Sequence, residues 1–169
     1  MKPLRLTMIG FGPFAKEETI DFSQTWEEKI FLMCGPIGSG KSLVLDAMGF
    51  ALYGDPATNQ TNRTFGDLVS HYKDNSTETK VVFQFSIGKR TYEVERTPTQ
   101  HVLSRGKMVE RTTSACLRLI DDSSVIANGS SKVTQYITSN LFNLDREQFY
   151  KVIILQQGRF REFLQAKAS

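Results

Sequence analysis

The chain has 169 residues, of which 40% are hydrophobic and 23% charged. That length fits about one domain with a real core, and no apolar run reaches the ~18 residues that would span a bilayer. The N-terminus, Met1-Lys2-Pro3-Leu4-Arg5, opens an alternating segment and not a signal-peptide core, so a cytosolic protein is expected. Lys and Arg number 21 against 18 Asp and Glu, a net +3 that permits nucleic-acid binding without showing it. The two cysteines, Cys34 and Cys116, lie in apolar stretches without C-x-x-C spacing, which argues against a zinc site and reads as buried small hydrophobes.

In chain order, Leu4, Leu6, Met8 and then Ile20, Phe22 alternate with other residues and predict two strands joined around Gly10-Phe11-Gly12-Pro13. Ile30-Phe31-Leu32-Met33-Cys34 is a continuous apolar run, as expected of a strand buried on both faces. Glycines follow at once. Val44, Ala47, Met48, Ala51 and Leu52 then recur at helical spacing, and Leu43, Leu45 and Phe50 make that helix apolar nearly all round, hence buried. Gly54-Asp55-Pro56 ends it. Residues 55–65 read as a polar loop.

Val81, Phe83, Phe85 and Ile87 share a strand face, Gly88-Lys89 makes a hairpin turn with glycine first, and Tyr92 and Val94 lie on the return strand. A further β-rich stretch covers about 107–127, with Asp121-Asp122-Ser123-Ser124 as a turn. From Ser130 the pattern becomes helical, with Val133, Tyr136, Ile137 and Leu141 on one face. Val152-Ile153-Ile154-Leu155 reads as another short buried strand, broken by Gln156-Gln157-Gly158. A helix beginning near Phe160 follows.

The chemistry sits in Gly35-Pro36-Ile37-Gly38-Ser39-Gly40-Lys41-Ser42, which matches G-x-x-x-x-G-K-[ST] without a mismatch between a buried run and a helix. Glycines let the backbone turn its N–H groups inward, and the helix N-terminus adds a positive dipole end. Lys41 supplies a cation for the β- and γ-phosphates and Ser42 a hydroxyl ligand for Mg²⁺. The loop as a whole, with Leu43 following it, is the expected nucleotide cradle. This motif alone does not separate small-molecule kinases, GTPases, helicases and ABC-type ATPases.

Blocks spread over the chain make that separation. Phe11-Gly12-Pro13-Phe14 with Ile20-Asp21-Phe22, Asp46-Ala47 with Phe50-Ala51-Leu52-Tyr53-Gly54, Asp67-Leu68-Val69-Ser70-His71, Asp145-Arg146-Glu147-Gln148-Phe149, and the run from Ile154 to Leu164 resemble, in order and spacing, the SbcC family of DNA-repair ATPases. Two departures are visible: Gln156 stands where the family usually has proline, and Gly12 cannot touch nucleotide through a side chain, as an arginine near that position does elsewhere in the superfamily.

The resemblance implies a mixed α/β fold, the P-loop N-terminal lobe of an ABC-type ATPase head over residues 1–158, with an antiparallel β-rich subdomain. Residues 159–169 would then be the root of a truncated coiled coil. It implies ATP and Mg²⁺ as cofactors, with Lys41 and Gln157 catalytic and Gln157 completing the magnesium shell that Ser42 begins. The implied partners are a C-terminal lobe of the same head, a second head in a homodimer, an SbcD-type nuclease, and DNA held through its phosphates. The implied location is the bacterial cytoplasm, in association with the nucleoid. Candidate DNA contacts are Arg63, Lys73, Lys89, Arg90, Arg105, Lys107 and Arg111.

The second half of a catalytic centre is not legible. Leu117-Arg118-Leu119-Ile120-Asp121-Asp122 imitates a Walker B strand, but Arg118 interrupts the apolar run and the acidic pair is better explained as a turn. A chain without a general base is expected to hydrolyse ATP poorly alone. Two rivals share the P-loop: a structural SMC- or RecF-like ATPase, and a small-molecule kinase. The kinase fits worse, because a β-rich stretch from Val81 to Ala127 interrupts strand–helix alternation.

Overall fold

The structure is a computed structural model, described here for residues 1–23, 32–54 and 68–152. Among these residues, eight strands and a few short helices form a mixed α/β fold. Strands β1 (Lys2–Phe11) and β2 (Phe14–Asp21) make the first hairpin, and helix α1 (Lys41–Tyr53) follows the glycine loop. Then come β3 (Lys80–Ile87), β4 (Arg90–Thr97), β5 (Gln100–Ser104), β6 (Lys107–Arg111), β7 (Ser114–Leu119) and β8 (Ser124–Asn128). Helix α2 (Ser130–Tyr136) runs directly into a π-helical segment (Ile137–Phe142), and α3 (Arg146–Val152) closes the described chain.

Six strands form one antiparallel sheet in the order β2-β1-β3-β4-β7-β8, and β5 and β6 form a separate two-stranded ribbon. Alternation decides which face is covered. Leu6 and Met8, Val81, Phe83 and Phe85, Tyr92 and Val94, and Ala115 and Leu117 all point to one side and are buried there. α1 packs across β3 and β4 on that side, and α2 across β7 and β8. The outward positions carry polar cross-strand pairs instead. Glu93 accepts from Gln84 Nε2 at 2.8 Å and from Arg118 Nη1 at 3.2 Å, while Lys80 and Glu95 pair at 3.3 Å. Each such pair contributes about 0.2–1 kcal/mol. Pro3, which cannot donate to the ladder, sits where the β1–β3 register shifts.

The expected β3–β4 hairpin is present with Ile87 opposite Arg90, which leaves Gly88-Lys89 as a two-residue loop. Gly88 at φ 60° supplies the left-handed first position of a type II′ turn. The acidic run at 121–124 is a turn as well: Asp121 Oδ2 accepts the Thr91 amide at 3.2 Å, and Asp122 Oδ1 accepts the Ser124 amide at 2.9 Å. Those bonds occupy both carboxylates in a turn, which removes the Walker B reading of this segment.

Three expectations need correction. Residues 32–36 carry no strand, and Leu32 is 84% exposed, because nothing among the described residues pairs with this run. Cys34 is accordingly exposed and not a buried hydrophobe, while Cys116 is half-buried. Val152 ends a helix and does not begin a strand. The reason is a capping box: Gln148 N donates to Asp145 Oδ1 at 2.8 Å while Gln148 Oε1 accepts the Asp145 amide at 2.9 Å, so a helix starts at Arg146 and carries through. The rest of that apolar run, Gln157 and residues 159–169 lie outside the described residues.

Candidate nucleotide site

The glycine loop leads into α1, a buried helix that sits under the sheet. Residues 44 and 46–53 are all buried, and Leu43 and Leu45 pack on the core from its edge, as the nearly continuous apolar pattern requires. Gly54 ends it in the left-handed region at φ 83°, its amide returning to the Phe50 carbonyl at 2.8 Å. At the other end no side chain caps the helix, its first turn holds no acidic residue, and the N-cap is Gly40 at φ 89°. The opening amides and the dipole end therefore meet no anionic side chain of the helix itself, which is the condition a bound phosphate needs.

Lys41 reaches back over its own loop. Its ammonium donates to the carbonyls of Gly35 and Pro36, both at 2.7 Å, and to Ser39 Oγ at 3.3 Å. The loop is drawn into a tight ring by Ser39 N to Pro36 O at 3.3 Å and Leu43 N to Gly40 O at 3.0 Å. A Cβ on Gly35 would stand 2.8 Å from Ser39 Oγ, so only glycine permits that closure. Ser42 is exposed at the loop's end, open to a metal bound beside phosphates. Ile37 projects fully into solvent. The donor set thus fits a polyphosphate with magnesium: a placed cation, an open hydroxyl and an uncapped helix start.

The structure brings Gly35 through Leu43 together in this loop and places Gln157 outside the described residues. The candidate DNA contacts fall into two groups. Lys89 and Arg90 lie exposed at the β3–β4 turn, whereas Arg105, Lys107 and Arg111 lie exposed on the β5–β6 ribbon at the far end of β4. Lys73 belongs to neither: it is half-buried, its ammonium donates to the Thr77 carbonyl, and burial pushes its pKa down. Arg63 lies outside the described residues.

Sequence reasoning missed Arg96. It occupies the next inward position of β4 after Tyr92 and Val94 and is fully buried. Its guanidinium donates to the Ala51 and Leu52 carbonyls at the end of α1 at 3.0 and 3.2 Å, to Ser130 Oγ at 2.8 Å and to Thr134 Oγ1 at 3.0 Å. It also lies 6.0 Å from the centroid of the Phe50 ring. One side chain therefore ties β4, α1 and α2 together. A buried cation at a helix C-terminus complements the dipole.

The family comparison agrees with this geometry. An AAA domain model matches residues 5–169. The chain is 37% identical over 172 residues to the SbcC subunit of the SbcCD nuclease of Vibrio cholerae, covering 99% of this chain and 17% of that protein. It is 34% identical over 169 residues to the protein of the same name from Staphylococcus epidermidis, covering 99% of the chain and 16% of the relative. With the Staphylococcus aureus MRSA252 protein it shares 37% over 174 residues, 97% of the chain and 16% of the relative. The chain thus spans about a sixth of the length of the curated relatives it matches. With the phosphate loop at the head of a buried helix beneath an antiparallel sheet, the chain belongs to the AAA domain family, and along its whole length its sequence is of the SbcC type.

Proposed function

We propose that this chain is the ATP-binding N-terminal lobe of an SbcC-type ATPase head. The observation that carries the reading is the loop from Gly35 to Ser42, whose lysine is already drawn over the carbonyls of Gly35 and Pro36 at 2.7 Å beside an uncapped helix start. Backbone amides of the loop and of α1 would hold the phosphates, Lys41 would neutralise their developing charge, and Ser42 would ligate magnesium. Gln157 is proposed to complete that magnesium shell. Magnesium supplies charge neutralisation and geometry at the γ-phosphate. The chain's own residues supply the cradle, its orientation and its cation.

The larger assembly follows from the relatives' printed name. A second lobe of the same head would bring the missing catalytic groups. Two heads would close over two nucleotides. The nuclease partner would be SbcD-like, and DNA would be held by exposed lysines and arginines through its phosphates. Residues 159–169 would start the coiled coil. A bacterial cytoplasmic, nucleoid-associated location follows from the same reading, and no helix among the described residues is long and apolar enough to cross a membrane. The test is calorimetric titration of the 169-residue chain with ATP and magnesium. Binding that disappears in Lys41→Ala supports the reading, and a wild-type chain that does not bind defeats it. Co-expression with a matching C-terminal lobe should then restore DNA-stimulated hydrolysis, whereas the chain alone should turn over little ATP.

A further inference from the structure

The turn between β1 and β2 and the phosphate loop interlock through two glycines. A Cβ on Gly40 would stand 2.8 Å from Phe14 Cζ and 3.4 Å from Pro13 Cγ. Reciprocally, a Cβ on Gly12 would stand 2.8 Å from Leu43 Cδ1, and Gly12 itself sits at φ 56°. Each segment thus places a bulky apolar side chain on the bare backbone of the other: Phe14 on the last glycine of the loop, Leu43 on the glycine of the turn. Contacts this close are available to glycine alone.

The turn is itself anchored from behind. Gly12 N donates to the Leu68 carbonyl at 2.7 Å, Ser70 N donates to Gly10 O at 2.8 Å, and Thr79 Oγ1 donates to Gly10 O at 2.9 Å. Phe11, fully buried, bridges to Val69 and stacks on Phe50 of α1 at 6.3 Å. The ring of Phe14 therefore meets the loop from a fixed platform. Gly40 is the N-cap of α1, so its backbone sets where the first helical amides and the Lys41 stem begin.

We propose that Phe14 is a positioning residue for the phosphate loop: its ring braces Gly40 so that the amides and the Lys41 ammonium are held in place for a polyphosphate before it arrives. This rests on the ATP-binding reading and deepens it. Phe14 acts through the loop and not on the base, so its removal should weaken every ligand that carries the phosphate chain. Preorganised donors lose their advantage when their support is left loose.

The experiment titrates the 169-residue chain with magnesium and either ATP or inorganic tripolyphosphate, at a temperature well below melting. Phe14→Ala should weaken both ligands by the same factor, about tenfold, and Phe14→Leu, which keeps apolar contact with Gly40, should recover most of the loss. Leu43→Ala, which removes the reciprocal contact, should shift both ligands in the same direction, and it provides the reading if Phe14→Ala does not fold. Wild-type affinity in folded Phe14→Ala overturns the proposal. A loss confined to ATP also overturns it, because that would make Phe14 a wall for the base. If the wild-type chain binds neither ligand, the ATP-binding reading itself fails, an outcome distinct from a brace that proves dispensable.

Discussion

Arg96 Nε donates to the Ala51 carbonyl at 3.0 Å, which sets a buried guanidinium against the end of the same helix whose beginning carries the phosphate loop. The contact explains why an arginine can stand among Tyr92 and Val94 on the inner face of β4. Its donors meet two helix carbonyls and two hydroxyls, so the cost of burying it is offset by bonds to groups that would otherwise lack donors. Arg96→Ala should destabilise the chain by about 3 kcal/mol or more. Arg96→Lys should recover little of that, because a single ammonium cannot span α1 and α2 as a planar fork does. Urea unfolding at unchanged slope checks both.

Lys41→Ala removes a half-exposed side chain whose bonds are to its own loop. Stability should change little. Nucleotide affinity should fall by about ten- to a hundred-fold, the worth of a charge-assisted phosphate contact. Calorimetric titration and a melting curve on the same sample separate the two effects.

Gly49 lies under Tyr150, whose hydroxyl would collide with an added Cβ and whose Cζ would stand 2.8 Å from it. The glycine is therefore the seat on which α3 rests against α1. Gly49→Ala should cost about 1–3 kcal/mol through overpacking, despite alanine's better helix propensity. Tyr150→Leu in the alanine background should restore part of that in thermal unfolding.

The capping box at the start of α3 gives a smaller effect. Asp145→Ala removes the carboxylate that accepts the Gln148 amide and should cost about 1 kcal/mol. Gln148→Ala should act similarly through the reciprocal bond, and the double variant should lose less than the sum, because the two bonds form one unit.

Tyr53 gives a pH signature. Its ring is 6% exposed, and its hydroxyl pKa is pushed up, first by burial and then by the nearby Asp145 carboxylate. The folded state therefore keeps this proton at pH values where the unfolded chain, with an ordinary pKa near 10, has lost it. Stability from this group is fully present below about pH 10 and drains away as pH rises above that value. Tyr53→Phe should flatten the alkaline limb of a stability–pH curve without changing its neutral plateau by more than the weak 3.3 Å bond to the Leu144 carbonyl.

Much of this was legible in the residues. The phosphate loop, α1 with its glycine stop, the Gly88 turn and the inner face of β3 follow from pattern alone, because each obeys a single local rule. What escaped did so for particular reasons. The strand β5 offers one buried apolar residue, Val102, and its turn is Arg105-Gly106, where arginine occupies a left-handed position that asparagine usually marks. Arg96 sits at the correct inward register, but pattern reading assigns inward positions to apolar residues, and only the carbonyls of α1 show why a cation belongs there. The four apolar residues from Val152 have no period that separates strand from helix, and the deciding signal was the capping pair seven residues upstream. Cys34 read as buried because its neighbours are apolar, whereas burial needs a covering element, and the described part of this chain holds none for it.

The separation of the basic side chains has a consequence for what could engage them together. Arg90 begins β4 and the ribbon bearing Arg105, Lys107 and Arg111 lies past its end, so eight strand residues stand between them, a span of about 24 Å. At 3.4 Å per base pair, a rod that touched both would need about seven base pairs. A shorter duplex could occupy one group at a time, so the distance along one strand acts as a ruler, and the gain in affinity from joining the two contacts would appear only once the ligand outgrows it.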